Sequence, residues 1–129
     1  MSKTILVVED SPTIRKMLLQ IFREAGYRVI SAENGFSALG MVDAFSVDLV
    51  VTDMNMNMMS GLTFVKQLKE RPKYADLPVV FVTTENSEEL KRTGMERGAT
   101  AWITKPFDPD ELLQVVSGLC PMDASAVAG

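Results

Sequence analysis

The chain has 129 residues, 47% of them hydrophobic, which suits one domain with a real apolar core. A net charge of -4, with no block of lysine and arginine, argues against a nucleic-acid surface, and no stretch approaches the roughly 20 apolar residues of a membrane span. The chain has no histidine, which excludes histidine triads and histidine metal sites, and its single Cys120 excludes an internal disulfide.

Carboxylates arrive too early for a signal peptide, and a lone thiol fits a reducing compartment, so a cytoplasmic protein is expected. The first apolar run, Thr4 to Val8, ends at Glu9 and Asp10. Ser11 suits an N-cap and Pro12 the first helical position. Ile14, Met17, Leu18, Ile21 and Phe22 then repeat at helical spacing until Gly26 stops the helix. Tyr27 to Ala32 reads as a second strand. Asn34-Gly35 reads as a turn, and Phe36, Leu39, Val42 and Ala44 mark a weaker second helix.

A third strand ends at Asp53. Ser60 and Gly61 lead into a helix carrying Leu62, Val65 and Leu68, which Arg71-Pro72 ends. The fourth strand closes at Thr83. A polar helix with Glu88, Glu89, Lys91, Arg92, Glu96 and Arg97 closes at Gly98. The fifth strand, Ala101 to Thr104, leads to Lys105-Pro106. Asp108-Pro109 opens the last helix, with Leu112, Leu113, Val116 and Leu119 on one face.

Five strand-then-helix units predict an α/β fold. Leu49 to Val51 and Val79 to Val82 do not alternate with polar residues, as befits strands of a parallel sheet covered on both faces. One domain is expected over residues 1–120, with a disordered tail at 121–129. In open parallel sheets, ligands bind beyond the carboxyl ends of the strands at the topological switch point. Glu9, Asp10, Asp53, Thr83 and Lys105 all lie at or just past strand ends. Two carboxylates at 4 Å repel by about 4 kcal/mol at an effective dielectric near 20, so such a cluster needs a cation or a proton. Mg²⁺ suits it, because that ion uses few carboxylates and shares phosphate oxygens.

Several look-alikes fail. Gly35 and Gly40 have P-loop spacing, but Met41-Val42 follow instead of lysine and a hydroxyl residue. Asp53, Asn55 and Asn57 mimic a calcium loop that then lacks its glycine and its final glutamate. No dinucleotide fingerprint follows the first strand.

Glu9-Asp10, Asp53, Thr83 and Lys105-Pro106-Phe107, in this order and spacing, resemble the signature of response-regulator receiver domains. The chain is similar above all to the stand-alone, CheY-like chemotaxis regulators, over roughly residues 3–119. The resemblance implies a doubly wound, flavodoxin-like fold, with a five-stranded parallel sheet of order 2-1-3-4-5 and five flanking helices. It implies that Asp53 takes a phosphoryl group from a histidine kinase. Mg²⁺ would be held by Glu9, Asp10, Asp53 and the Asn55 backbone carbonyl. Lys105 and Thr83 would bind phosphoryl oxygens, Thr83 and an inward-turning Trp102 would switch, and Asn55 and Glu85 would tune hydrolysis.

The implied output face is the last two helices and the fifth strand, offering Lys91, Arg92, Met95, an exposed Trp102, Glu111 and Val115 to a protein. The expected protein is a monomer that catalyses only its own phosphorylation and dephosphorylation, and a flagellar switch component is the first expected target. A phosphate sink, a phosphate-independent docking module and a small-molecule phosphatase are the competing readings. Glu9 replaces the usual aspartate, and Asn57 a frequent proline. Met54, Met56, Met58 and Met59 crowd the loop after Asp53, as partner contacts or as filler.

Overall fold

The computed structural model describes residues 3–121. The expected tail, apart from Pro121, lies outside the described residues. Five strands and five helices alternate: β1 (Thr4–Val8), α1 (Pro12–Glu24), β2 (Arg28–Ala32), α2 (Gly35–Ala44), β3 (Leu49–Thr52), α3 (Gly61–Lys69), β4 (Val79–Thr83), α4 (Glu88–Glu96), β5 (Ala101–Thr104) and α5 (Pro109–Leu119). A short 3₁₀ turn, Pro72–Tyr74, joins α3 to β4. The strands form one parallel sheet of order β2-β1-β3-β4-β5, as the sequence led us to expect.

The unalternating strands are explained by a core on each side of the sheet. Leu6, Val8, Val50, Val79 and Phe81 point to one face and pack with Ala38, Leu39 and Val42 of α2 and Phe64, Val65 and Leu68 of α3. Ile5, Val7, Leu49, Val51, Val80, Val82 and Ile103 point to the other and pack with Leu18 and Phe22 of α1 and Leu112 and Val116 of α5. Successive side chains of a strand leave on opposite faces, so both sets must be apolar.

Each helix start carries a side-chain cap, and those at Ser11, Ser60 and Asp108 fall where the sequence signals them. Ser11, Asn34, Ser60 and Ser87 each accept an N–H bond from the first turn of α1, α2, α3 and α4, and Asp108 does so for α5. Gly26 and Gly98 follow α1 and α4 with φ of 99° and 115°, conformations that glycine adopts without steric penalty.

Three local expectations are corrected. Asn34-Gly35 is a helix start rather than a turn, because the Asn34 side chain accepts the Ser37 N–H at 2.9 Å. Phe36 and Ala44 do not face the core. Both are exposed, and Ala38 takes the inward position with Leu39 and Val42. Tyr27 is a loop residue rather than part of β2. Its buried ring carries a hydroxyl that donates to the Cys120 carbonyl at 2.9 Å and ties α1's exit to the end of α5.

Candidate functional site

Strand register sets the site. Val8 pairs with Thr52, Thr52 with Phe81 and Thr83 with Thr104, so the strands end along a common edge. The ladder runs one residue further. Asp53 N–H donates to Val8 O at 3.1 Å, and Lys105 N–H to Thr83 O at 2.8 Å. Glu9, Asp53, Thr83 and Lys105 are therefore placed by sheet hydrogen bonds, and the loops only have to fit around them.

The geometry brings together the acids that the sequence singled out. One carboxylate oxygen from each of Glu9, Asp10 and Asp53 lies within 4.8 Å of the others. Glu9 is 1% exposed and Asp53 8%. Lys105 Nζ donates to Glu9 Oε1 at 2.5 Å and to Asp53 Oδ2 at 2.8 Å. Asp53 Oδ1 accepts the N–H groups of Met54 at 2.6 Å and Asn55 at 3.2 Å. Glu9 Oε2 accepts Ser11 N–H at 3.2 Å. Both carboxylates are thus oriented by main-chain donors as well as by the ammonium.

Charge explains what the cluster can hold. Burial pushes the Glu9 carboxyl above its usual range, although the bond from Lys105 pulls the other way. Burial opposes the charge on Lys105, but its bonds to Asp53 and Glu9 outweigh this and hold the ammonium above its ordinary value. Three carboxylates face one ammonium, so the site stays negative. Its hard oxygen donors, with no sulfur or imidazole among them, fit Mg²⁺.

Thr83 is fully buried, and its Oγ1 accepts Glu85 N–H at 3.2 Å. Asn55 Nδ2 donates to Glu85 Oε1 at 2.8 Å, joining the loop after β3 to the loop after β4. Trp102 is half-buried rather than exposed. Its ring lies 5.3 Å from that of Phe81, and its Nε1–H donates to Glu85 O at 2.9 Å. Of the methionines after Asp53, Met54 and Met59 belong to the core, whereas Met58 is 76% exposed with φ of 73°.

Two contributors were missed by the sequence reading. Gly61 opens α3 directly beneath the acidic loop, where an added Cβ would lie 2.3 Å from Asp53 O and 2.9 Å from Met54 Cα. Its N–H donates to Met54 O at 2.7 Å. The only sequence signal was a glycine where a helix begins. Arg15 on α1 donates from Nη1 to Glu9 O at 2.8 Å and fixes the turn after β1.

Comparison with known proteins agrees with this geometry. The response regulator receiver domain family matches residues 5–117. The phosphate regulon transcriptional regulatory protein PhoB of Escherichia coli (strain K12) is 38% identical over 113 residues, which are 88% of this chain and 49% of that protein. The chain therefore spans about half the length of that regulator. Chemotaxis protein CheY1 of Helicobacter pylori is 34% identical over 119 residues, covering 88% of this chain and 96% of that protein. The solved structure of Vibrio cholerae chemotaxis protein CheY4 is similar at a TM-score of 0.89 and 36% identity, over 92% of this chain and 99% of that one.

An acidic pocket with a partly buried lysine, at the switch point of a doubly wound sheet, defines a phosphoacceptor class of signalling domain. The chain belongs to the response regulator receiver domain family. It is a CheY-like receiver domain of a two-component response regulator, a type that works between a histidine kinase donor and a downstream target.

Proposed function

We propose that Asp53 accepts a phosphoryl group from a kinase phosphohistidine and that the phosphorylated chain binds a protein of the chemotaxis apparatus, a flagellar switch component first. The observation that carries this reading is the partly buried Glu9–Lys105–Asp53 triad beside Asp10. An Asp53 oxygen attacks phosphorus, the phosphorus–nitrogen bond breaks, and the imidazole nitrogen leaves with the electron pair and takes a proton. Two main-chain N–H groups and Lys105 hold the carboxylate for that attack. Lys105 already spans two anions, so it can follow negative charge onto a phosphoryl oxygen without leaving its place. Thr83 Oγ1 is the neutral donor available to a second oxygen.

Glu9, Asp10, Asp53 and the Asn55 carbonyl would hold Mg²⁺. When bound, the ion supplies positive charge to the phosphoryl oxygens. Asn55 and Glu85, bonded across the site mouth, set access of water to the aspartyl phosphate and hence its lifetime. The chain acts on no separate substrate and functions as a monomer in the cytoplasm. Among the described residues, no helix is long and apolar enough to cross a membrane.

Intact mass with Mg²⁺ and acetyl phosphate tests the acceptor role. A phosphoryl adduct is expected on the wild-type chain and not on Asp53→Asn. Absence of an adduct with a folded protein and a kinase donor would turn the reading toward a docking module. The 38% identity to PhoB supports a second output, through transcription control. Capture with the beryllium fluoride form separates the two, since a motor protein and a transcription component are different partners. A phosphorylated form that captures neither would leave a phosphate sink.

A further inference from the structure

Trp102 is the only tryptophan, and its surroundings are unusually well fixed. Its indole lies against Phe81, which is fully buried, and against Gly94 in α4. A Cβ on Gly94 would lie 2.8 Å from Trp102 Cζ3, so the ring fills the space that any other residue would occupy. Glycine inside a helix is unfavourable against alanine, and here the indole gives it a packing reason. The third fixed point is the 2.9 Å bond from Nε1–H to Glu85 O. Rotating the ring outward would break that bond, leave the Glu85 carbonyl without it, and open a void lined by Phe81 and Gly94.

Glu85 carries three such ties. Its N–H bonds Thr83 Oγ1, its carbonyl accepts from Trp102, and its carboxylate accepts from Asn55. We propose that Trp102 is a fixed strut between β4 and α4, and that coupling from the site to the α4–β5 surface runs through the Glu85 main chain instead of through rotation of the aromatic ring. The ring stands in an inward, bonded position in this structure. When Thr83 Oγ1 turns to a phosphoryl oxygen, Glu85 N–H loses its acceptor while Glu85 O keeps its donor. Glu85 then shifts with the first turn of α4, and the indole travels with them as one body. The coupling step rests on the phosphoacceptor reading above, whereas the seat itself does not.

The test uses the full chain and two readouts of its one tryptophan: acrylamide quenching of emission, and fluorine NMR after 5-fluorotryptophan labelling. Wild-type protein is compared alone and with Mg²⁺ plus beryllium fluoride. We expect weak quenching in both states, a single resonance in each, and a change of chemical shift between them. Gly94→Ala should push the ring out and raise quenching several-fold in the free state. A several-fold rise in wild-type quenching on adding beryllium fluoride, or exchange between two ring environments in the free protein, would overturn the strut. A resonance unmoved by beryllium fluoride, in protein that acetyl phosphate labels in a parallel intact-mass experiment, would overturn the coupling. If the mass experiment shows no adduct, the phosphoacceptor reading fails instead, and free-state quenching still decides the seat. Those wild-type measurements stand even if Gly94→Ala does not fold.

Discussion

Single side chains set the electrostatic balance of the site, and Glu9 is the clearest case. It is buried, so its charged form loses hydration that one lysine does not fully replace. Its carboxyl therefore titrates above the ordinary value of 4.5 in the folded chain. A raised folded value stabilises the protein below the unfolded value, and that contribution is lost as pH rises through the folded value. Glu9→Gln removes the penalty. In metal-free buffer the variant should resist urea better than wild type at about pH 7, and the gap should close toward about pH 4. Urea midpoints at the two pH values check this, and an equal gap at both would show that burial of the charge is not the cause. Gly61 acts by shape instead. A Cβ at 2.3 Å from Asp53 O must displace backbone, so Gly61→Ala should lose about 1–3 kcal/mol of stability and slow phosphoryl uptake. Denaturation combined with timed intact mass measures both.

Elements show where sequence was sufficient and where it was not. Strand ends and helix starts were legible, because runs such as Val79–Thr83 and caps such as Ser11 and Ser60 are local signals. The order of site residues along the sheet edge was legible too, since one strand end supplies each of them. What failed depended on neighbours. Phe36 is apolar and suitably spaced, yet it lies outside, because the small Ala38 is what fits between α2 and the sheet. Trp102 looked like a surface residue because the space above it comes from Gly94, which no periodicity marks. The 3₁₀ turn was missed because its anchor is tertiary. Tyr74 Oη donates toward Val42 O and Phe45 O at 3.2 and 3.1 Å and accepts Val47 N–H at 3.3 Å.

That buried hydroxyl joins the end of α2 to the turn before β4. Tyr74→Phe leaves main-chain groups short of partners and should cost about 1–3 kcal/mol in equilibrium denaturation. Gly40 is the converse. It lies exposed in α2 with nothing near a would-be Cβ, so Gly40→Ala should stabilise the fold by about 0.8–1 kcal/mol. A higher urea midpoint with unchanged acetyl phosphate uptake is the expected result.

At the scale of the whole molecule, the sheet is what converts distant sequence into one charge cluster, and the cluster opposes the fold that makes it. Glu9 and Lys105 are separated by 96 positions, yet their side chains meet at 2.5 Å because five parallel strands end together. In the unfolded chain Asp53 is far from the Glu9-Asp10 pair and all three are hydrated, so a cation that needs the whole set binds the folded state. Binding must then appear as stability. Free Mg²⁺ at about 100 times its dissociation constant should add about 2.7 kcal/mol, on the order of 10 °C in a thermal scan for a domain of this size. Asp10→Asn removes a candidate ligand without touching Lys105, and should shift the dependence to higher Mg²⁺ while raising the ion-free midpoint by relief of repulsion among the acids. If Mg²⁺ leaves the wild-type midpoint unmoved over a titration in which acetyl phosphate still labels Asp53, the acids serve only to set the charge around Asp53 and Lys105. If stability and labelling rise over the same concentrations, one ion at this cluster accounts for both.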